Sequence, residues 1–371
     1  MTPILTLGPL NVTPYSLTIL LGVLAGTALS WRKKQVRPLL PAVILGALIL
    51  GHACWVLFCP FEMEAEEGKL YMIPRLWEGG YTIYGALLGG ALGALIAGKI
   101  SGVRWLDAMD ALAPGACAVI IAARIGETFI GEGVGRNAEL SWTHFFPLSV
   151  CTYQDEYFED WRYLIWFWEA LAALILLIIL LKREKKSIPG HQTAVFLTVL
   201  GTTQIFLEQM RRDYYLRVIV FVRISQLAAL ATLIAVLAVL LIRVKPGTAK
   251  AFWCLATLVL ASLAVMAAEF VFDKYEDAPW LYAAMALSAV SCAVMLLAWK
   301  KKNSLLPAVL ICVATAALLI GYASKNWEES QLTPVEDMVR YGILYGTMIV
   351  NLICIGLAVH LNLQHQAQAV K

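Results

Sequence analysis

Charged residues are scarce in this chain: only 15% of its 371 residues are Asp, Glu, Lys or Arg, whereas 60% are hydrophobic. A soluble globular domain needs a larger polar surface, so this composition excludes that class. The formal net charge of +3 is small, and the basic residues lie in short clusters between apolar runs. This pattern gives no support for nucleic-acid binding and is typical of a multi-spanning membrane protein.

Cysteine patterns for metal binding are also missing. The eight cysteines show no C-x-x-C spacing and no His/Cys cluster, so no metal site is expected. Cys59 and Cys151 fall in loops predicted on one outer face, where a disulfide and two free thiols both fit the sequence. Because no basic segment precedes the first apolar run, a cleaved signal peptide is not expected. The other six cysteines lie in apolar runs and are expected to act as small buried hydrophobic residues: Cys54, Cys117, Cys254, Cys292, Cys312 and Cys354.

Long apolar runs dominate what is present, and eleven of them are long enough to span a bilayer as helices. They cover about residues 15–31, 38–58, 81–98, 107–130, 161–181, 191–210, 222–242, 251–272, 280–299, 304–322 and 339–361. The sequence therefore predicts an all-α polytopic membrane protein. Polar residues interrupt several of the first seven spans and few of the last four. We therefore expect a seven-helix functional bundle over 1–243 and an appended four-helix module over 251–371.

The basic clusters predict the orientation of these helices. They fall in alternate loops, around residues 32–37, 99–104, 182–186, 243–245 and 300–302. Loops rich in Lys and Arg stay on the cytoplasmic side of a membrane. The N-terminus is therefore expected outside and the C-terminus inside.

The end of the fourth span carries an unusual set of ionisable residues. Arg124, Glu127, Glu132 and Arg136 follow one another closely, and charges at the edge of a lipid-embedded segment are functional candidates. The two arginines suit a phosphate, whose oxygens match the guanidinium, and Glu132 suits acid/base work or orientation of an arginine. The alternative is a structural ion pair of Arg124 with one of the glutamates. Three nearby glycines allow sharp turns or close approach of a ligand: Gly131, Gly133 and Gly135.

Other spans add polar candidates. Gln204 and Glu208 share one face of the sixth helix and lie near Arg211, with an outer-surface ion pair as the alternative. Tyr15 fits an interfacial aromatic residue, and His52 fits a packing or hydrogen-bonding residue. Acidic and basic groups of the fourth and sixth helices thus meet in the outer half of the bundle. That arrangement suits a phospholipid, with its anionic head and apolar tails.

The stretch at the end of the fourth span resembles the central signature of a known family. Residues 123–136 read A-R-I-G-E-T-F-I-G-E-G-V-G-R, similar to the G-R-x-G-N-F-x-N-x-E-x-x-G-R of the prolipoprotein diacylglyceryl transferases. Trp142 and the Phe-Pro pair at 146–147 resemble its continuation, and residues 77–89 resemble a second family motif around W-[DE]-G-G. The resemblance covers about residues 1–243.

The resemblance implies an activity and a set of site residues. The family transfers a diacylglyceryl group from phosphatidylglycerol to the lipobox cysteine of a prolipoprotein signal peptide, at the outer face of the bacterial plasma membrane. No cofactor is implied. The residues implied to be catalytic are Arg124, Glu132 and Glu208. The residues implied to bind the lipid head are Tyr15, Tyr84, Glu127, Gly135, Arg136 and Arg211.

Several positions depart from the family pattern. Tyr84 stands where the family has His, Glu127 and Ile130 replace its two signature asparagines, and Gln204 replaces an arginine. One arginine lost and one carboxylate gained make the site less positive by about two charges. Two alternatives follow: a catalytically silent homologue that binds lipid or a partner, and a transferase with another lipid donor or acceptor.

Overall fold

The computed structural model describes residues 4–7, 10–58, 72–76, 80–138, 141–154, 159–183, 189–211, 217–219 and 222–244, with isolated positions between 248 and 266. This part of the chain is mostly helical. Its α-helices are α1 (Pro14–Trp31), α2 (Leu40–Phe58), α3 (Ile83–Ser101), α4 (Trp105–Glu127), α5 (Ile165–Arg183), α6 (His191–Met210) and α7 (Ile224–Val244). Among the described helices, five are long and apolar enough to cross a membrane: α1 to α5.

The helices agree with the first seven predicted spans to within a few residues, apart from one boundary. Residues 161–164, predicted to begin the fifth helix, lie in a β-strand, and α5 starts at Ile165. Trp161 and Tyr163 fit a paired strand because aromatic residues pack well on a pleated surface. The four helices predicted over 251–371 fall outside the described residues, apart from isolated positions, so the division into two modules stays a prediction.

Short antiparallel strands supplement the helices, and the hydropathy pattern did not predict them. Strands β1 (Leu5–Leu7) and β2 (Leu10–Val12) form one pair. Strands β3 (Val134–Asn137), β4 (Ser149–Gln154) and β5 (Glu159–Leu164) form a sheet of order β3-β5-β4. Strands β6 (Arg217–Ile219) and β7 (Val222–Arg223) form a hairpin. Because β5 runs directly into α5, the three-stranded sheet is anchored at the first turn of that helix.

The contacts divide the chain into two compact units, 1–196 with 210–216, and 197–209 with 217–371. In the first unit α1 packs against α4, α2 against α3, and α4 against α5. The α2–α3 contact depends on glycine: a Cβ on Gly89 would overlap the carbonyl oxygen of Gly46. Small residues at such crossings let helix backbones approach closely. In the second unit α7 packs against α6 at Gly201, where a Cβ would lie 2.9 Å from Leu233.

His52 has the structural role that the sequence favoured. Its side chain is fully buried in α2, and its ring nitrogens lie 3.0 Å from the carbonyl oxygens of Gly80 and Met72. The imidazole thereby ties the loop before α3 to α2, which confirms a hydrogen-bonding residue. Cys151 carries a free thiol that donates to the Tyr153 carbonyl at 3.1 Å, whereas Cys59 falls outside the described residues.

Candidate functional site

Four buried charged side chains meet in the first unit, where α4 ends and α5 begins. Arg124 and Glu127 lie in the last turn of α4, Glu169 lies near the start of α5, and Arg211 directly follows α6. Their exposed fractions are 7%, 6%, 6% and 1%. Charges buried to this extent are costly unless they are paired. We call these four residues the charge quartet.

Each arginine of the charge quartet contacts both carboxylates. The Arg124 Nη1 donates to Glu127, and its Nε lies 3.0 Å from a Glu169 oxygen. The Arg211 Nη1 donates to Glu169 at 2.6 Å and to Glu127 at 3.2 Å. The result is a closed ring of two cations and two anions with a formal charge of zero.

Three separate segments bring the charge quartet together. Arg124 and Glu127 are three residues apart, so they share one face of α4. The packing of α4 against α5 supplies Glu169. Arg211 is held by its backbone, which forms an antiparallel bridge with Gly135 of β3. The alternative of an ion pair between Arg124 and one of the glutamates is therefore present in the structure, with Glu127 and as part of a larger network.

The turn after α4 closes over the charge quartet. The Glu132 N–H donates to the Glu127 carbonyl at 3.2 Å, and the Gly133 carbonyl accepts from the Trp166 N–H at 2.9 Å. Gly133 has φ of +72°, and a Cβ there would overlap the Glu127 carboxylate and lie 2.7 Å from the Trp166 Cβ. Only glycine fits this position without displacing its neighbours. The Glu132 side chain is exposed on the same turn.

The other predicted head-group residues lie on α1, β3 and α3. Tyr15 is half-buried in the first turn of α1, and a Cβ on Gly126 would lie 3.0 Å from its ring, so it packs against the end of α4. Gly135 is buried beside Arg211. Tyr84 is half-buried in the first turn of α3. The backbone of Arg136 lies in β3, while its side chain falls outside the described residues.

Glu208 belongs to a polar cluster in the second unit. It is 3% exposed and accepts from the Gln204 amide at 2.6 Å, which confirms that the two share a helix face. The Arg223 Nη1 lies 3.5 Å from its other oxygen, and the Gln226 side chain accepts from the Arg223 N–H at 3.0 Å. The alternative of an outer-surface ion pair is wrong for a side chain so deeply buried.

Two residues of these clusters were missed as site candidates. Glu169 was not among the predicted site residues, although an acidic residue inside an apolar run is itself a signal of function. Arg223 stands at the start of an apolar span, and its contact with Glu208 depends on tertiary structure. Within the part of the chain that the structure describes, no group of three or more His, Cys, Asp or Glu side chains could hold a metal ion.

An anion that approaches the charge quartet meets two arginines that already contact carboxylates. A guanidinium offers five N–H donors in a planar fork that fits a carboxylate or a phosphate. In this structure Glu127 takes donors from both arginines. A phosphate that binds both arginines at the Nη1 groups would therefore compete with the Glu127 carboxylate.

Comparison with known proteins supports the resemblance seen in the sequence. A family model described as prolipoprotein diacylglyceryl transferase matches residues 3–242. Relatives named phosphatidylglycerol–prolipoprotein diacylglyceryl transferase include one from Tropheryma whipplei strain Twist, 30% identical over 55% of this chain and 79% of that protein. Another, from Gloeobacter violaceus, is 28% identical over 62% of this chain and 88% of its own length. A third, from Frankia alni, is 28% identical over 56% of this chain, and the match spans only 57% of that protein.

Proposed function

Because this chain belongs to the prolipoprotein diacylglyceryl transferase family, we propose that it transfers a diacylglyceryl group from phosphatidylglycerol to the cysteine thiol of a prolipoprotein. The observation that carries the proposal is the pair of buried guanidiniums, Arg124 and Arg211, in the charge quartet. The acceptor would be the lipobox cysteine of the signal peptide. The reaction would occur at the outer face of the bacterial plasma membrane, with the N-terminus outside.

The chemistry of the transfer requires stabilisation of an anion. The acceptor thiolate attacks the carbon of the diacylglyceryl group that is bonded to the phosphate oxygen. A C–S bond forms, and the bond between that carbon and the phosphate oxygen breaks. The electron pair leaves with glycerol phosphate, whose negative charge Arg124 and Arg211 would stabilise. Since the thiolate is the nucleophile, its proton must be removed, and exposed Glu132 would accept it. Tyr15, Gly135 and Arg136 would border the lipid head.

A catalytically silent homologue is the second candidate function, and the pairing of Glu127 favours it. Glu127 holds donors of Arg124 and Arg211 that a lipid phosphate would need. In a silent homologue this carboxylate would stay in place. In an active transferase the lipid phosphate would displace it from at least one guanidinium.

The test is a transfer assay with the purified full chain. The protein is reconstituted with phosphatidylglycerol and a lipobox peptide, and the mass of the peptide is measured by mass spectrometry. An authentic transferase in a parallel reaction is the positive control. We expect the natural chain to form the diacylglyceryl adduct of the peptide. Arg124→Ala should form it at least a hundredfold more slowly, the loss seen when a hydrogen-bond donor to a developing negative charge is removed. Arg104→Gln is the matched control, because Arg104 lies at the opposite end of α4 with a side chain that is 76% exposed.

Each other outcome assigns a different function. No adduct from the natural chain, with the authentic enzyme active in the same assay, overturns the proposed transfer. If phosphatidylglycerol still binds in that case, the silent homologue is favoured. An adduct that forms only with another phospholipid or another peptide identifies a transferase with a different donor or acceptor.

A further inference from the structure

A cavity lies at the opposite end of the same helices from the charge quartet. It has a volume of about 160 Å³ and is bordered by the end of α1, the start of α4, the end of α5 and the start of α6. The charge quartet, in contrast, lies at the end of α4, near the start of α5 and directly after α6. The cavity is therefore a separate feature of the first unit, which the proposed transfer does not use.

Charges of both signs line the cavity. Arg32 and Lys33, which follow α1, supply two cations, while Asp107 and Asp110 of α4 supply two carboxylates. Asp110 already accepts hydrogen bonds from the start of α6: from the Gly190 N–H at 2.7 Å, the Thr193 N–H at 2.8 Å and the Thr193 hydroxyl at 2.6 Å. It caps the start of α6. Asp107 accepts from Arg104 at 2.7 Å, and this arginine is mostly exposed.

The predicted topology puts this end of the helices, and with it the cavity, at the cytoplasmic head-group layer. Basic residues are concentrated at this end of the helices, which the loop charges predict to be cytoplasmic. Leu29 of α1 and Leu181 of α5 line the same cavity as Arg32. Aliphatic side chains thus lie beside charged ones at one depth, an arrangement that suits a lipid with its head among the charges.

We infer that this cavity binds the head group of an amine-bearing zwitterionic phospholipid from that leaflet. Arg32 and Lys33 contact the phosphate, and Asp107 contacts the ammonium group. The acyl chains run past Leu29 and Leu181. The ammonium would share Asp107 with the exposed guanidinium of Arg104. The two cations and two carboxylates of the lining sum to zero, so a zwitterion keeps the cavity neutral, whereas an anionic head group would add a net negative charge beside Asp107 and Asp110. A free phosphate would make no use of the leucines.

A photo-crosslinking experiment tests this site. The full chain is placed in phosphatidylcholine nanodiscs that contain a photoactivatable phosphatidylethanolamine, and the labelled peptides are identified by mass spectrometry. We expect labels near Arg32 and Asp107. Arg32→Gln and Asp107→Asn should each weaken labelling about tenfold, the loss that follows from about 1.4 kcal/mol of binding free energy. Lys99→Gln is the matched control, because Lys99 is exposed at the same end and does not line the cavity.

Unlabelled compounds added as competitors show which phosphate-bearing ligand the cavity prefers. Unlabelled phosphatidylethanolamine should reduce labelling, whereas phosphatidylglycerol and inorganic phosphate should do so at least tenfold less effectively. Equal competition by phosphatidylglycerol or by phosphate overturns the assignment, as does unchanged labelling of Arg32→Gln. Labelling is measured without a lipobox peptide and requires no transfer, so the lipid site and the proposed activity can each fail without the other. Asp110 is left intact, since its substitution would remove the cap of α6.

Discussion

The guanidinium of Arg211 donates to the carboxylate of Glu169 at 2.6 Å, across 42 residues of sequence. This bond joins the residue after α6 to the start of α5. Both residues also contact α4, through Glu127 and Arg124 respectively. The four charges therefore form one unit, and removal of any member leaves an uncompensated buried charge.

Glu169→Gln should destabilise the protein strongly although the substitution keeps the side-chain shape. It leaves two buried guanidiniums with a single carboxylate, and breaking a buried pair in this way costs about 3–5 kcal/mol. The measurement is the free energy of unfolding in detergent micelles, followed by circular dichroism in denaturant.

Asp160→Asn is the control for that measurement. Asp160 accepts from Arg162 at 2.8 Å on the three-stranded sheet, where the Arg162 guanidinium lowers the pKa of the Asp160 carboxyl. Because Asp160 lies near the surface, its loss should cost about 1 kcal/mol or less. Equal losses in Glu169→Gln and Asp160→Asn would contradict the special role of the charge quartet. A lowered pKa also means that the Asp160 contribution is present near neutral pH and is lost as pH falls through the folded-state pKa.

Glu127→Gln should tighten the binding of anionic lipid. The substitution removes the carboxylate that competes for Arg124 and Arg211 and leaves the charge quartet with a net positive charge. We expect about tenfold stronger binding of phosphatidylglycerol, seen as a larger rise in melting temperature when the lipid is added. Glu159→Gln, which removes an exposed carboxylate from β5, is the control for net charge alone. If both variants bind phosphatidylglycerol more tightly by the same factor, the change in net charge explains the gain and competition by Glu127 at Arg124 does not.

Gly133→Ala should be more damaging than Gly131→Ala. The two residues have nearly the same φ, +72° and +71°, so each substitution costs roughly 1 kcal/mol in backbone strain. Only Gly133 is also crowded, by the Glu127 carboxylate and by Trp166, whereas no atom lies within 4 Å of a Cβ on Gly131. Overpacking adds about 1–3 kcal/mol, so the difference between the two unfolding free energies should fall in that range. Equal unfolding free energies of the two variants would show that Gly133 is not closely packed against Glu127 and Trp166.

Gly89→Ala should loosen the contact between α2 and α3, whereas Gly90→Ala should be tolerated. A Cβ on Gly89 overlaps the Gly46 carbonyl, but a Cβ on Gly90 meets its nearest atom, in Val43, at an ordinary 3.5 Å. The expected penalty is about 1–3 kcal/mol for the first variant and near zero for the second. Thermal inactivation of the two purified variants gives the comparison, and equal half-lives would count against close packing at Gly89.

The features predicted from the sequence are those set by neighbouring residues. Apolar runs predicted the helices, and the nearness of Glu127 and Glu132 to Arg124 in the sequence gave an ion pair as the alternative. Glu169 was missed because its role depends on Arg211, a partner that no local pattern identifies. The strands of the three-stranded sheet were missed for a related reason: β5 adjoins an apolar span, and hydropathy alone extends the helix across it. Tertiary contacts, not composition, decide both cases.

The charge quartet also has a consequence for how the chain enters the membrane. Arg124 and Glu127 neutralise each other within α4, so that helix can insert with its charges already paired. Glu169 has no basic residue within one helical turn on α5. Its earlier partner, Arg124, is already neutralised by Glu127, and its second partner, Arg211, is made 42 residues later. We expect α5 to insert less efficiently in a chain truncated near residue 200 than in one that extends to residue 216. Glycosylation mapping of the two truncated chains during translation into membranes would reveal the difference, and equal insertion would show that Glu169 needs no partner at that stage.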